Sequence, residues 1–381
     1  MQAVQLKVLR SIGMMIGAIV GVGVFGLPYV FAKSGFVVGL LWLIVLGFFM
    51  ILLQLMFAEM AVETEGKDRL VGYVRRYAGP GFGWAATVAF LGLTWGAQIA
   101  YMIVGGEFLH QLLSPFVGGT PFIFSIIVAV IASALIFRGL RFAAKIETVV
   151  VCILLFLFSI CMLASAPFFE IQHILTFDRA NAFLPYGVIL FALGGLGVVP
   201  EIKDLLGRDC RRLPQVVVPA MGVIIILYAF FSLAVVGVTG DATTPSALTG
   251  LAQALGPGFV AVGSLLGAFT ILSIFMVVGM ESMNMLKADF RLRPRAAWAV
   301  ASFVPVLFFA LGVRQFIDVI GFVGAIFSGG LGIFLIIAYY RMCWTRDKRK
   351  AVCAHFPRAI GWILAIVFSA GIIGECVSFF A

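Results

Sequence analysis

Gly21-Val22-Gly23-Val24-Phe25-Gly26, followed two residues later by Pro28, interrupts an apolar run that extends from about residue 9 to about residue 33. The string spells G-x-G-x-x-G, which in a soluble βαβ unit marks a dinucleotide-binding turn. That chemistry needs a strand before it, a helix after it and an acidic residue about 20 positions on. Here the flanks are Ile12-Gly13-Met14-Met15-Ile16 and Leu27-Pro28-Tyr29-Val30-Phe31, so both sides are membrane-like. The string therefore reads as a place where a transmembrane helix comes apart. Broken helices at mid-bilayer are how many transporters hold polar substrates.

The rest of the chain supports a membrane setting. Of its 381 residues 63% are hydrophobic and 11% charged, and long apolar runs recur throughout. Eleven spans are expected, at about 9–33, 36–61, 82–109, 121–137, 143–166, 182–205, 215–239, 258–286, 296–312, 315–340 and 359–379. The first of these reads as a spanning helix and not as a cleaved leader. The net charge of +9 would suit nucleic acid, but its distribution points to topology. With the N-terminus inside, 23 of the 26 Lys and Arg residues fall in cytoplasmic segments, leaving only Lys33, Arg179 and Arg314 outside. This asymmetry places the N-terminus in the cytoplasm and the C-terminus on the outer side of the cell membrane. No nucleic-acid partner is expected.

The six cysteines and three histidines are scattered, with no metal-ligand or redox spacing. Cys152 and Cys161 fall in the fifth span and Cys210, Cys343 and Cys353 in cytoplasmic segments, while His110, His173 and His355 lie far apart. Neither a disulfide, a metal nor a cofactor is assigned. No H-E-x-x-H and no nucleophile with a histidine partner appears, so an enzyme is not expected.

A step of roughly 175 residues maps spans two to five onto spans seven to ten. Five spans per unit is odd, so the second unit enters from the opposite face. The expected fold is thus an all-α polytopic membrane protein of one domain (1–381) with a five-plus-five inverted repeat, 8–168 and 182–341, and a loop plus eleventh helix over 342–381. The sixth span is the partner of the first. It reads Phe191-Ala192-Leu193-Gly194-Gly195-Leu196-Gly197 with Pro200 beyond, a second glycine cluster with a proline on its C-terminal side. Spans one and six are therefore both expected to be discontinuous. Gly13, Gly17, Gly35, Gly39, Gly92 and Gly96 have small-xxx-small spacing and are assigned to helix packing.

Unwinding a helix in the bilayer frees N–H and C=O groups that must find partners. Half-helix N-termini suit a carboxylate, and freed carbonyls suit an ammonium or a cation. Val20, Gly21, Val22 and Gly23, with Ala192, Gly194 and Gly195, are the expected backbone contacts for an amino acid. Phe25, Tyr101 and Phe191 are candidates to wall its side chain. No Asp, Glu, Lys or Arg lies within either break, so a neutral, hydrophobic or aromatic substrate is expected.

Ile19-Val20-Gly21-Val22-Gly23-Val24-Phe25-Gly26-Leu27-Pro28-Tyr29, then Ala32-Lys33-Ser34-Gly35, resembles the first span of the amino acid/auxin permease family and of the hydroxy and aromatic amino acid permeases. Both belong to the amino acid–polyamine–organocation superfamily. The sixth-span string through Pro200-Glu201 and the loop Gly66-Lys67-Asp68-Arg69-Leu70-Val71-Gly72-Tyr73 are similar too. The loop also approaches the major-facilitator pattern, but its basic pair Arg75-Arg76 comes two residues late. The resemblance implies a secondary amino acid transporter working by alternating access and driven by H⁺ or Na⁺. A sodium site of the shared fold would use carbonyls near Ala18 and Val20 with the hydroxyls of Thr270 and Ser273. A proton route would use a membrane carboxylate, for which Glu107 and Glu281 are the candidates. Glu201 with Lys203, and Glu147 with Lys145 or Arg141, read as interfacial pairs. The fifth span has Lys145 only at its start, which argues against a lysine in place of sodium. Proton symport is the reading taken forward, with sodium symport and a non-transporting sensor as alternatives.

Overall fold

A computed structural model describes residues 2–66, 68–138, 156, 158–345 and 356–380. Most of the expected fifth span, with Arg141, Lys145, Glu147 and Cys152, lies outside the described residues, as do Cys353 and His355. The described residues are helical and contain no strand.

The chain opens with α1 (Gln2–Ile19) and α2 (Gly23–Ser34), which meet at a bend of 61°. Then come α3 (Phe36–Glu63), the short α4 (Leu70–Ala78), α5 (Pro80–Val117) and α6 (Pro121–Arg138). After a helical stretch at Phe158–Phe168, the second interrupted helix is α7 (Pro185–Ala192) and α8 (Val199–Leu206). α9 (Leu213–Thr239), α10 (Pro257–Asp289) and α11 (Pro294–Ala310) follow. α12 (Phe316–Phe322) passes through a wide π turn at Val323–Ser328 into α13 (Gly329–Thr345), and α14 (Arg358–Phe380) ends the chain.

Seven described stretches are long and apolar enough to cross a membrane, eight with the bent α1–α2 pair. In that count the run Pro185–Ala242 passes as one although it holds α7, α8 and α9, and the apolar α11 is too short to qualify. The expected eleven is not reached by this measure.

The two interrupted helices form the centre. The Asp178 N–H donates to the Ser34 carbonyl at 3.3 Å, placing the end of α2 beside the segment that leads into α7. Beyond α8, Asp209 comes within 3.9 Å of Lys7 near the start of α1. The pairs thus run antiparallel, α1 against α8 and α2 against α7. α2 is buried nearly all round, as an apolar helix with no lipid face must be. α3, α9 and the π turn pack against this pair, and α5 and α10 bring side chains to the junction. By contrast, Val37, Leu41, Ile44, Val45 and Phe48 of α3 are exposed at helical spacing, giving that helix one lipid-facing stripe.

Glycine decides how closely these elements approach. A methyl on Gly92 would meet the Phe327 ring and one on Gly96 the Val323 side chain, so both sit in packing contacts with the π turn. Gly39 receives Phe31 in the same way. Gly13 departs from the packing assignment, because nothing lies within 4 Å of where its Cβ would be.

Candidate functional site

Both breaks leave backbone groups pointing into the same space. The Val20 N–H closes α1 on the Ile16 carbonyl at 2.8 Å, and Phe25 donates to the Val22 carbonyl at 3.1 Å to restart the helix. At the second break Leu193 donates to Ile189 at 2.9 Å and Gly194 to Phe191 at 3.1 Å. A short 3₁₀ turn, Leu196–Val198, then leads into α8, whose second residue is Pro200. Proline is accommodated there because N–H groups in a first helical turn have no intrahelical acceptor. Among the described residues the N–H groups of Gly21, Val22, Gly195 and Gly197 have no backbone acceptor. They lie at the N-terminal, positive ends of α2 and of the 3₁₀ turn that precedes α8.

The breaks touch each other, and glycine is what permits it. A methyl on Gly23 would lie 2.8 Å from the Ala192 Cα and 3.1 Å from the Phe191 ring. One on Gly195 would run into the Ile19 side chain. Gly21 has a softer neighbour, since its methyl would come 3.2 Å from the Tyr101 hydroxyl.

The C-terminal, negative ends of the half-helices meet a residue that the sequence reading missed. Tyr228 of α9 is fully buried, and its hydroxyl donates to the Ala192 carbonyl at 3.0 Å and to the Ile19 carbonyl at 3.3 Å. Ile19 ends α1 and Ala192 ends α7, so one phenol serves the last residue of both half-helices. A tyrosine inside an apolar span is the only trace of this in the sequence.

A cavity of about 150 Å³ lies at the junction. It is smaller than the roughly 300–1,000 Å³ of drug-sized ligand pockets and suits a small metabolite. Of the predicted residues, Ala18, Gly21, Val22, Gly23, Tyr101, Phe191, Ala192, Gly194, Gly195 and Glu281 all line it. The Glu281 carboxylate faces Gly197, 3.9 Å from where a Cβ would stand. Tyr101 and Glu281 are electrostatic neighbours. Thr94 and Ser328 also line the cavity, the latter presented by the end of the π turn.

Other predicted residues lie elsewhere. Val20 is not part of the lining. Phe25 is buried in an aromatic cluster, its ring centre 5.4 Å from Phe108, 6.1 Å from Phe158 and 6.4 Å from Phe231. The Thr270 hydroxyl donates to the Leu266 carbonyl of its own helix at 2.9 Å, and neither it nor Ser273 lines the cavity. Glu107 is likewise absent from the lining and accepts a hydrogen bond from Ser246.

Glu201 needs correcting. It does not pair with Lys203, because residues two apart leave a helix on different faces; it lines the cavity instead. Lys203 reaches away from it to the Thr64 carbonyl at 2.7 Å, the Gly66 carbonyl at 3.1 Å and the Tyr73 hydroxyl at 3.4 Å. Burial, reinforced by Asp68 and Asp204, pushes the Tyr73 phenol up to about 12, so it stays neutral and can accept from the ammonium. Arg75 pairs with Asp289 at 2.6 Å and Arg69 with Asp204 at 3.4 Å. These contacts tie α4 and the loop before it to α8 and α10. Among the described residues the cavity lining thus carries two carboxylates and no basic side chain.

The profile of the family described as "Transmembrane amino acid transporter protein" matches residues 5–378. The chain belongs to that family. A search of curated proteins found no match. Among solved structures, the chain is similar to MhsT in complex with L-phenylalanine, at 16% identity and a TM-score of 0.70, covering 98% of both chains. It is also similar to a manganese transporter from Eremococcus coleocola bound to an aromatic bis-isothiourea compound, at 13% identity and a TM-score of 0.69. A point mutant of the same manganese transporter gives 14% identity and a TM-score of 0.72. In both cases the match covers 99% of this chain and 88% of the other. At these identities the likeness shows a transporter fold; together with the family it makes the protein a membrane transporter and not an enzyme.

Proposed function

We propose that this member of the transmembrane amino acid transporter family moves neutral amino acids with hydrophobic or aromatic side chains, by alternating access and proton symport. The observation that carries the proposal is the convergence of two helix breaks on one small cavity. Unpaired N–H groups of Gly21, Val22, Gly195 and Gly197 would receive the substrate carboxylate, favoured by two helix dipoles. Freed carbonyls near Ala18 and Val20 would accept from its ammonium. Phe191, three residues before Gly194, would cover the side chain. The L-phenylalanine in MhsT is in keeping with an aromatic substrate.

Proton coupling rests on Glu281. It lines the cavity beside Tyr101, and a carboxylate is costly to keep in a membrane, so its presence there points to a function. Thr270 supports the same choice, since its hydroxyl is engaged within its own helix. The full reading has eleven spans, an inverted repeat in which α1–α2 and α7–α8 are counterparts, a cytoplasmic N-terminus and an outer C-terminus. The contacts around Lys203 would then be the cytoplasmic gate.

Uptake into sealed liposomes tests the proposal. A pH gradient alone should drive accumulation of a large neutral amino acid. Accumulation only under a sodium gradient would overturn proton coupling, and binding without counterflow would point to a sensor. A thermal-shift screen of the twenty amino acids identifies the substrate, because a ligand that prefers the folded state raises the melting point.

A further inference from the structure

We infer that the Tyr228 hydroxyl occupies the position of a coupling cation, so that this chain holds its two breaks together with a fixed donor where an ion would otherwise sit. The inference rests on the reading of the two breaks as the substrate site. Ile19 and Ala192 are the last residues of two half-helices, and their carbonyls converge on a single atom, 3.3 and 3.0 Å away. Both are negative dipole ends, and carbonyls freed by unwinding in the bilayer are the groups that coordinate monovalent cations. Something electropositive must stand between them, because buried carbonyls without a partner are costly. Tyr228 meets that need from α9, with a side chain that is fully buried. A second phenol, Tyr101, is its electrostatic neighbour and lies against Gly21. The place is therefore faced by two carbonyl oxygens and filled by one O–H.

The hydroxyl gives the ground for a sharp test. Tyr228→Phe keeps the ring that packs α9 against both breaks and deletes only the donor. Two carbonyl oxygens then face a space about one oxygen atom wide, which suits a dehydrated sodium ion. The wild type should bind its amino acid equally in sodium chloride and in choline chloride of the same ionic strength. Tyr228→Phe should bind about tenfold or more weakly in choline chloride and recover most of that loss in sodium chloride. Its melting temperature, read without substrate, should rise with sodium while that of the wild type does not. A role in packing alone would produce no such salt-specific rescue.

The inference is overturned if Tyr228→Phe behaves identically in the two salts, whether its affinity is intact or lost. It is also overturned if the wild type itself needs sodium to bind. If the wild type binds no amino acid at all, the reading of the site fails. A sodium-dependent rise in the melting temperature of Tyr228→Phe would still support the surrogate in that case.

Discussion

Gly23→Ala is the sharpest perturbation of the proposed substrate site. The added methyl would lie 2.8 Å from the Ala192 Cα and 3.0 Å from its Cβ. Non-bonded carbons prefer about 3.5–4.0 Å, so the two breaks must part by roughly 0.7–1.2 Å. Neither neighbour can rotate away, since one is backbone and the other the first side-chain carbon. A donor moved by that much leaves a hydrogen bond of about 2.9 Å at roughly 3.6–4.1 Å, which is no longer a bond. Losing one bond to a charged carboxylate costs about 1.5–3 kcal/mol, a fall in affinity of roughly 10- to 150-fold. Calorimetric titration of the purified protein with its best amino acid reads this directly, with gel filtration confirming that the fold persists. Gly13→Ala is the control, because nothing lies within 4 Å of the new atom. Wild-type affinity in Gly23→Ala would refute the claim that the two breaks form one site.

Four further outcomes are expected. Gly195→Ala should be damaging alone and largely rescued by Ile19→Ala, because the new methyl meets the Ile19 side chain; a cycle with coupling below about 0.5 kcal/mol would show the contact is unimportant. Phe191→Ala should weaken binding of large apolar amino acids more than of alanine or glycine, and an equal loss for all would remove Phe191 from the side-chain pocket. Glu281→Gln should keep substrate counterflow but lose accumulation driven by a pH gradient, whereas intact accumulation would clear Glu281 of the proton. Lys203→Met should free the loop at Thr64 and Gly66 and speed thiol labelling of a Gly197→Cys protein from the basic side; unchanged labelling would deny the gate.

The breaks were legible in the sequence because backbone freedom has a compositional signature. Glycine clusters followed by proline stand out in apolar runs, and the structure breaks the chain at 20–22 and again at 193–195. Ten of the fifteen predicted site residues line one cavity for the same reason, since most are near neighbours of those clusters. Side-chain direction was less legible. Phe25 sits two residues past Gly23, yet it points into an aromatic cluster. In a helix that is apolar on every side, hydropathy carries no phase, and α2 is such a helix. The expected sixth and seventh spans, 182–205 and 215–239, correspond to α7–α8 and α9, which a count by length and hydropathy merges into one apolar run.

Tyr228 and Glu201 were missed for a deeper reason. The proximity of Tyr228 to Ile19 and Ala192 spans 209 and 36 residues of sequence, and no local pattern encodes it. The need for such a group, however, was readable. Two broken helices present two sets of freed carbonyls as well as two sets of N–H groups, and only the N–H sets had been given a partner other than a cation. Orphaned acceptors call for a buried O–H or N–H on a neighbouring span just as orphaned donors call for an acceptor. Glu201 stands close to Lys203 in sequence, which suggests a pair, but helical geometry separates the two, and Lys203 is held by carbonyls across the α3–α4 loop. With Glu201 in the lining, the described residues give the cavity acidic side chains at Glu201 and Glu281 and no basic one. In the proposed site the substrate carboxylate would then fall to backbone N–H groups, in keeping with glycine clusters as the mark of the site in the sequence.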